Sequence, residues 1–376
     1  MNFITKEAFM AEPMELAELQ AALQREGAGW QAGITSMSAL SDTDKRARLG
    51  YIPGPDEPSL ADREQLAMAN FQAFRAAREM AFGYPTVMDW RSHGGRNFVA
   101  PVRDQGGCGS CVAFGTVAAV EGTLRASIND PNYAVDYSEA HLFYCHARSQ
   151  GRNCGNGWWV PPALDSFKNT GVVDDACYPY VATDQNCTNL CSNWQSRVTK
   201  ISGWHAITSA ADMKNWLSTR GPLVACFTVY NDFFSYRSGI YRYVSGAVAG
   251  GHCVCCVGYN ETDGCWICKN SWGAGWGESG YFRIAYGQVG IDATMWAVDG
   301  FATGVWQNNK RIIGLWAINQ DRNTWVYVDG IGWKRIAFDN DNIFFNLLVQ
   351  LTTAKAANRA VNYYEQDGVI KQVYVL

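Results

Sequence analysis

Apolar residues recur near the helical period in two early stretches, MELAELQAALQ and LADREQLAMANFQAFRAAREM. In the second, Leu60, Leu66, Phe71, Phe74 and Met80 fall on one predicted helix face. Between them runs GWQAGITSMSALSDTDKRARLGYIPGPDEP, whose Gly/Pro-rich end predicts loop. Two short amphipathic helices and a long irregular connection bury little surface by themselves, so residues 1–84 are expected to lean on the downstream chain. From residue 85 the pattern changes. CVAFGTVAAVEGTLRAS predicts a buried helix starting at Cys111, and LVACFTVY, HCVCCVGY, CWICKNSW and GYFRIAYG predict strands rich in aromatic and β-branched residues. Helix first and strands later predicts an α+β unit of two lobes over residues 85–302.

Residues 303–376 read as a third unit. RIIGLWAIN, TWVYVDG and WKRIAF predict three strands, with a turn at Asp329-Gly330. Asp341 to Asn358 predicts a helix with Ile343, Leu347, Leu351 and Ala354 on one face and capping residues from Asp339 to Asp341. AVNYYEQ and VIKQVYVL, joined at Asp367-Gly368, predict a closing hairpin. Three strands, a helix and two strands is the order of a small OB-like barrel.

Composition narrows the function. With 376 residues, two or three domains are expected. A net charge of −4 and a pI near 5.8 give no reason to expect nucleic acid or an anionic membrane as partner. No apolar run is long enough to span a bilayer, and the first twenty residues lack the pattern of a secretory signal. The thirteen cysteines all lie between Cys108 and Cys268. That many points to an oxidising compartment, whether extracellular, periplasmic or lysosome-like, and the odd count leaves at least one thiol unpaired.

QGGCGSC, residues 105–111, could be a redox dithiol, half of a zinc site, or two cysteines with separate tasks. A nucleophilic cysteine needs a stabilised thiolate, a base, a group that orients the base, and donors for an oxyanion. Cys111 sits where a glycine-rich loop meets a helix start, which favours its thiolate; a paired imidazolium lowers such thiols to a pKa of roughly 3–4. Of five histidines, His252 lies on a strand-like run downstream, and Asn270 follows in KNSWGAGWG. Gln105 can aim its amide at the oxyanion, beside the backbone N–H of Cys111. Zinc on Cys108, Cys111, Cys265 and Cys268 would consume the nucleophile and leave His252, Asn270 and Gln105 unexplained. No βαβ pattern surrounds CGSC to suit a dithiol oxidoreductase, and Cys253, Cys255 and Cys256 read as small hydrophobes of a buried strand. No cofactor or metal is expected.

These segments, in this order, resemble the papain family of cysteine peptidases. PVRDQGGCGSCVAF resembles the nucleophile segment, GGHCVCCVGYN the histidine segment and ICKNSWGAGWGESGYFRI the asparagine segment, with YSEAHLFYC, NCGNGWW and CYPY between them. The resemblance implies a two-lobed papain-like fold, a helical lobe beside a β-barrel-like one, cleaving peptide bonds. It implies Cys111 as nucleophile, His252 as acid/base, Asn270 as its orienter, Gln105 as oxyanion donor and Trp272 as a shield over the His–Asn bond. It implies disulfides Cys108–Cys154 and Cys145–Cys187, and Cys177 with Cys191 could form a third. Asn156 and Gly157 match the stretch that binds extended peptide, and Thr294 closes the main specificity pocket, suggesting an apolar or aromatic P2 side chain without a charge to welcome arginine.

Gly251 and the W-x-A-G of the N-terminal stretch resemble the cathepsin B branch and its short prosegment. Residues 1–84 are then expected to occupy the cleft of a zymogen until cut away, after low pH weakens their carboxylate contacts. No histidine-bearing insertion follows NCGNGWW, which favours an endopeptidase. Val112 replaces the usual aromatic after the nucleophile, and Val289 stands where another bridge cysteine often sits. The expected partners are a peptide or protein substrate, the prosegment, and a glycan or second copy at residues 303–376. The alternatives are a ligase or acyltransferase on the same chemistry, or a toxin-like effector whose C-terminal unit binds glycan or assembles.

Overall fold

In the N-terminal segment, α1 (Leu16–Arg25), β1 (Trp30–Ala32), α2 (Asp42–Arg46) and α3 (Leu60–Ala76) are separated by irregular chain. The structure, a computed structural model, describes residues 16–76, 83–301, 305–319, 322–337, 341–366 and 368–376. Ser41 caps α2 by accepting from the Asp44 N–H, and Ser59 accepts from Asp62 N–H at the start of α3. The buried face of α3 is Arg63, Ala67 and Phe74, flanked by Leu60 and Phe71. Leu66, expected on that face, is 41% exposed. The helix is rotated because Arg63 is drawn into the neighbouring unit, where carbonyl oxygens receive it. Met80 lies outside the described residues.

The middle unit runs β2 (Val87–Asp89), α4 (Cys111–Ser127), α5 (Val160–Asn169), β3 (Ile201–Ile207), α6 (Ala210–Thr219), β4 (Leu223–Tyr230), β5 (Tyr236–Tyr241), β6 (Val248–Asn260), β7 (Cys265–Lys269), β8 (Tyr281–Ala285) and β9 (Met295–Phe301). Helix α4 is buried from Cys111 to Arg125, including the polar Thr116, Glu121, Thr123 and Arg125, and it packs on β6. The sheet has the order β1-β5-β8-β7-β6-β4-β9-β3, with β2 added to β6. Its edge strand β1 comes from the N-terminal segment, so that segment is built into the unit rather than laid upon it.

The C-terminal unit comprises β10 (Val305–Ala317), β11 (Thr324–Val328), β12 (Gly332–Ile336), α7 (Asp341–Ala356), β13 (Ala360–Gln366) and β14 (Val369–Val375). Its strands close into a barrel in the order β10-β11-β12-β14-β13 around a separate core that includes Ile312, Val326, Ile336, Leu351 and Tyr363. The expected face of α7 is off by one residue. Phe344 is buried with Leu347, Leu351 and Ala354, and Ile343 is 39% exposed. Asp339, Asn340 and Asp367, expected at the cap and the hairpin turn, lie outside the described residues.

Candidate active site

Cys111 is the first residue of α4, and β6 brings His252 to the same place along the helix it packs against. The backbone N–H of Cys253, next to His252, faces the Cys111 sulfur. His252 Nε2 donates to Asn270 Oδ1 at 2.7 Å, and Asn270 Oδ1 also accepts the Ser271 N–H at 2.8 Å, which fixes the amide. His252 Nδ1 is left without a hydrogen-bond partner. The Trp272 ring lies 4.7 Å from the imidazole, centroid to centroid. With Nε2 committed to Asn270, Nδ1 is the nitrogen that can take or give a proton.

Gln105 is fully buried and held from three sides. Its Oε1 accepts from Ser271 Oγ at 2.6 Å, and its Nε2 donates to Cys108 O at 2.8 Å and to Arg48 O at 3.0 Å. The last contact is with the N-terminal segment: a main-chain carbonyl sits on the amide that could serve an oxyanion. Ser271 orients Gln105, a relay the sequence holds in KNSW beside Asn270 but which no spacing rule singles out.

After the turn that closes α2 at Arg48, residues 49–52 run on through the cleft. Trp158 N–H donates to Gly50 O at 2.8 Å, Ile52 N–H to Trp158 O at 3.0 Å, and Tyr51 N–H to Gly251 O at 3.1 Å. The segment is parallel to the chain at Trp158 and antiparallel at Gly251. Gly50 and Gly157 make this approach possible. A Cβ on Gly50 would lie 1.8 Å from Gly109 O, and one on Gly157, which has φ +61°, would lie 2.1 Å from Gly50 O. The pairing falls on Trp158, while Asn156 ties its own loop through Asn153 N and Gly151 O.

Tyr51, 1% exposed, enters beside the Cys226 and Cys253 thiols. Arg63, also 1% exposed, reaches the same compartment from α3 and donates from Nη2 to Cys226 O at 3.1 Å and Thr294 O at 3.3 Å. Its guanidinium lies 5.4 Å from the ring centres of both Tyr51 and Trp296. Thr294 is therefore at the compartment, contributing its backbone carbonyl to this contact. Farther along α3, Asn70 donates to Asp292 O and Phe74 lies over the buried Lys214 ammonium.

Covering the cleft sets the protonation states. Burial pushes the Cys111 thiol up to about 12, helped by the neighbouring Cys226, and burial lowers His252 to about 4 against the support of Asn270. The lowered thiol pKa expected for an open helix start is not the state of this covered cleft. Desolvation outweighs the helix terminus when the segment excludes water.

Three disulfides join Cys108 to Cys154, Cys145 to Cys187 and Cys177 to Cys191, while Cys111 stays a free thiol. Val112 is buried in α4, packed in the main core.

Residues 84–298 match the family described as papain family cysteine protease. The chain belongs to the papain family. Cathepsin B-like CP3 of Giardia intestinalis is 39% identical over 196 residues, 50% of this chain and 64% of that protein. Cathepsin L-like proteinase of Fasciola hepatica is 35% identical over 206 residues, 54% of this chain and 60% of that protein. The chain thus spans less than two thirds of the length of these relatives. Procathepsin B S9 from Trypanosoma congolense shares the fold with a TM-score of 0.62 at 21% identity, covering 78% of this chain and all of that one. Digestive procathepsin L2 from the Tenebrio molitor larval midgut aligns with a TM-score of 0.59 at 25% identity, over 75% of this chain and 88% of that one. The papain-like unit with its N-terminal segment is the shared part, and the closed barrel after residue 303 is an addition to it.

Proposed function

We propose that this papain-family chain is the zymogen of a cysteine endopeptidase: residues 1–84 inhibit, residues 85–302 catalyse, and residues 303–376 form an accessory barrel. The observation that carries the reading is His252, bonded through Nε2 to Asn270 under Trp272, with Nδ1 unpartnered beside the helix start that bears Cys111. With the cleft open, the Cys111 proton passes to His252 Nδ1 and the thiolate attacks the peptide carbonyl. Gln105 Nε2 and the Cys111 N–H then hold the oxyanion. His252 returns the proton to the leaving amine, the acyl–sulfur bond forms, and water deprotonated by His252 releases the acid and restores the thiol.

An extended substrate pairs with the chain at Gly157 and Trp158. Its P2 side chain takes the compartment now filled by Tyr51, and an aromatic side chain there supports the apolar P2 preference. The carbonyl of Arg48 on the Gln105 amide, and Gly50 against Gly109, support inhibition by direct occupation. The three disulfides support an oxidising compartment. Among the described residues no helix is long and apolar enough to cross a membrane. Incubating the full chain with reductant over mildly acidic pH tests the reading. It should shorten to begin near Tyr84 and then cleave a peptide with leucine or phenylalanine at P2. An unshortened chain with no such cleavage would exclude it.

The barrel carries its own exposed aromatics. The Trp306 ring lies tilted against Tyr364 and Tyr374, and Tyr327 meets Trp333 edge-to-face across β11 and β12. These rings support a glycan- or self-binding role for this unit. Trp306→Ala and Trp333→Ala should each lower glycan retention or dimer mass in solution. A monomer without glycan binding would leave the barrel as a brace.

A further inference from the structure

Seven cysteines are free among the described residues, and six of them have no part in the proposed chemistry. Two meet at the cleft. β4 and β6 pair antiparallel with Cys226 directly opposite Cys253, so both side chains leave the sheet on one face, and Cys226 lies near enough to raise the Cys253 thiol. Residues directly opposite on antiparallel strands stand at separations a disulfide can span with small adjustment. The pair belongs to the substrate compartment. Cys253 follows His252, Arg63 donates to Cys226 O, and both thiols lie near enough to the Tyr51 phenol to oppose its ionisation.

We propose that Cys226 and Cys253 are an oxidisable dithiol in the wall of the specificity pocket, shielded while Tyr51 and Arg63 fill it and open to peroxide once they leave. In the closed chain both side chains are fully buried away from any oxidant, and burial together with Cys226 raises the Cys253 thiol. In the open pocket water reaches them. One thiolate attacks a peroxide oxygen, the O–O bond breaks, and water leaves with a sulfenic acid on sulfur. The second thiol attacks that sulfur, the S–S bond forms, the S–O bond breaks and a second water leaves. Two thiols and one hydrogen peroxide thus give one disulfide and two waters.

A bond there ties the floor of the pocket beside Cys111. That consequence for substrate selection rests on the peptidase reading, whereas the dithiol chemistry does not. A second in-register pair, Cys256 opposite Cys268 on β6 and β7, is an internal control: it is equally buried, and the groups that act on Cys268 are Cys256, Cys255 and Cys265.

The test uses full-length Cys111→Ala, which removes the competing thiol and needs no cleavage, alongside Cys111→Ala/Tyr51→Gly. Cys111→Ala/Arg63→Ala opens the same compartment from the other side, should the first opened variant fold poorly. After hydrogen peroxide, alkylation and digestion without reductant, the opened chains should yield a Cys226–Cys253 cross-linked peptide lighter by two hydrogens. It should form about tenfold or more faster than in the closed chain, with Cys256 and Cys268 remaining thiols. Equal rates in open and closed chains, oxidation of both pairs alike, or thiols persisting at Cys226 and Cys253 in the opened chains would overturn the proposal. Because no step depends on hydrolysis, a failed peptidase reading would not mimic any of these results.

Discussion

Replacing Cys111 with alanine is expected to remove peptide hydrolysis, lowering kcat/KM by roughly 10⁵-fold or more, while the chain keeps its fold and its N-terminal segment. The loss follows from the chemistry proposed for the site, since the other hydroxyl at the start of α4, that of Ser110, is tied to the Tyr180 hydroxyl at 2.7 Å. The structural cost is small. Cysteine to alanine at a buried helix start removes one atom and costs about 1 kcal/mol of packing, and no hydrogen bond that orders the helix is lost. Gln105→Ala should be milder, about 10²–10³ in kcat, because the backbone N–H of Cys111 remains. Its effect should fall on kcat rather than on KM, since the amide serves a charge absent from the ground state. Rates on a P2-leucine peptide, titration with a thiol-alkylating epoxide, and melting temperature check all three points. Hydrolysis persisting in Cys111→Ala would remove Cys111 from its role.

The features legible in the sequence are those that chemistry demands of residue type and order. A glycine-rich turn into an apolar helix fixes where Cys111 stands. Strand β6, packed on that helix, carries His252, and Asn270, just past the next strand β7, meets the imidazole at 2.7 Å. The element order of the C-terminal unit, three strands, a helix and two strands, likewise agrees with the closed barrel. The features that escape are set by partners far away in the chain. Leu66 has the spacing of a core residue of α3, yet the helix is turned by Arg63, whose acceptors Cys226 and Thr294 lie more than 160 residues downstream. Ser271 holds Gln105 through a hydroxyl that any surface serine also carries. The backbone pairing at Trp158 has no side-chain signature at all. A low Cys111 thiol pKa belongs to an open cleft, and the covered cleft reverses it through desolvation.

In a full-length Cys111→Ala chain, withdrawal of residues 48–52 from the cleft is expected to become acid-driven. It should grow by roughly a hundredfold as pH falls from the ordinary imidazole value toward that of covered His252. While the segment covers it, burial depresses His252 from 6.5 to about 4. Uncovered, it returns toward the solvent value. The stabilisation of the covered state is therefore complete above 6.5 and is lost as pH falls toward 4. This amounts to about 3 kcal/mol at ~1.4 kcal/mol for each pH unit. With Cys111 present the slope should vanish, because on opening the imidazole takes its proton from the thiol and none is gained from solvent.

Glu57 acts in the opposite sense. Burial raises its carboxyl despite the Gly54 N–H, so the covered state binds this proton more tightly and acid favours covering. The expectation that low pH loosens the segment through its carboxylates is reversed at this residue. Amide exchange at Tyr51 and Ile52, whose N–H groups bond to Gly251 O and Trp158 O, reports opening directly. Corrected for intrinsic rates, protection should fall with pH in Cys111→Ala, fall more steeply with Glu57→Gln added, and stay flat when His252→Ala is added to both. A slope that survives His252→Ala would place the acid sensitivity elsewhere in the segment and remove His252 as its origin.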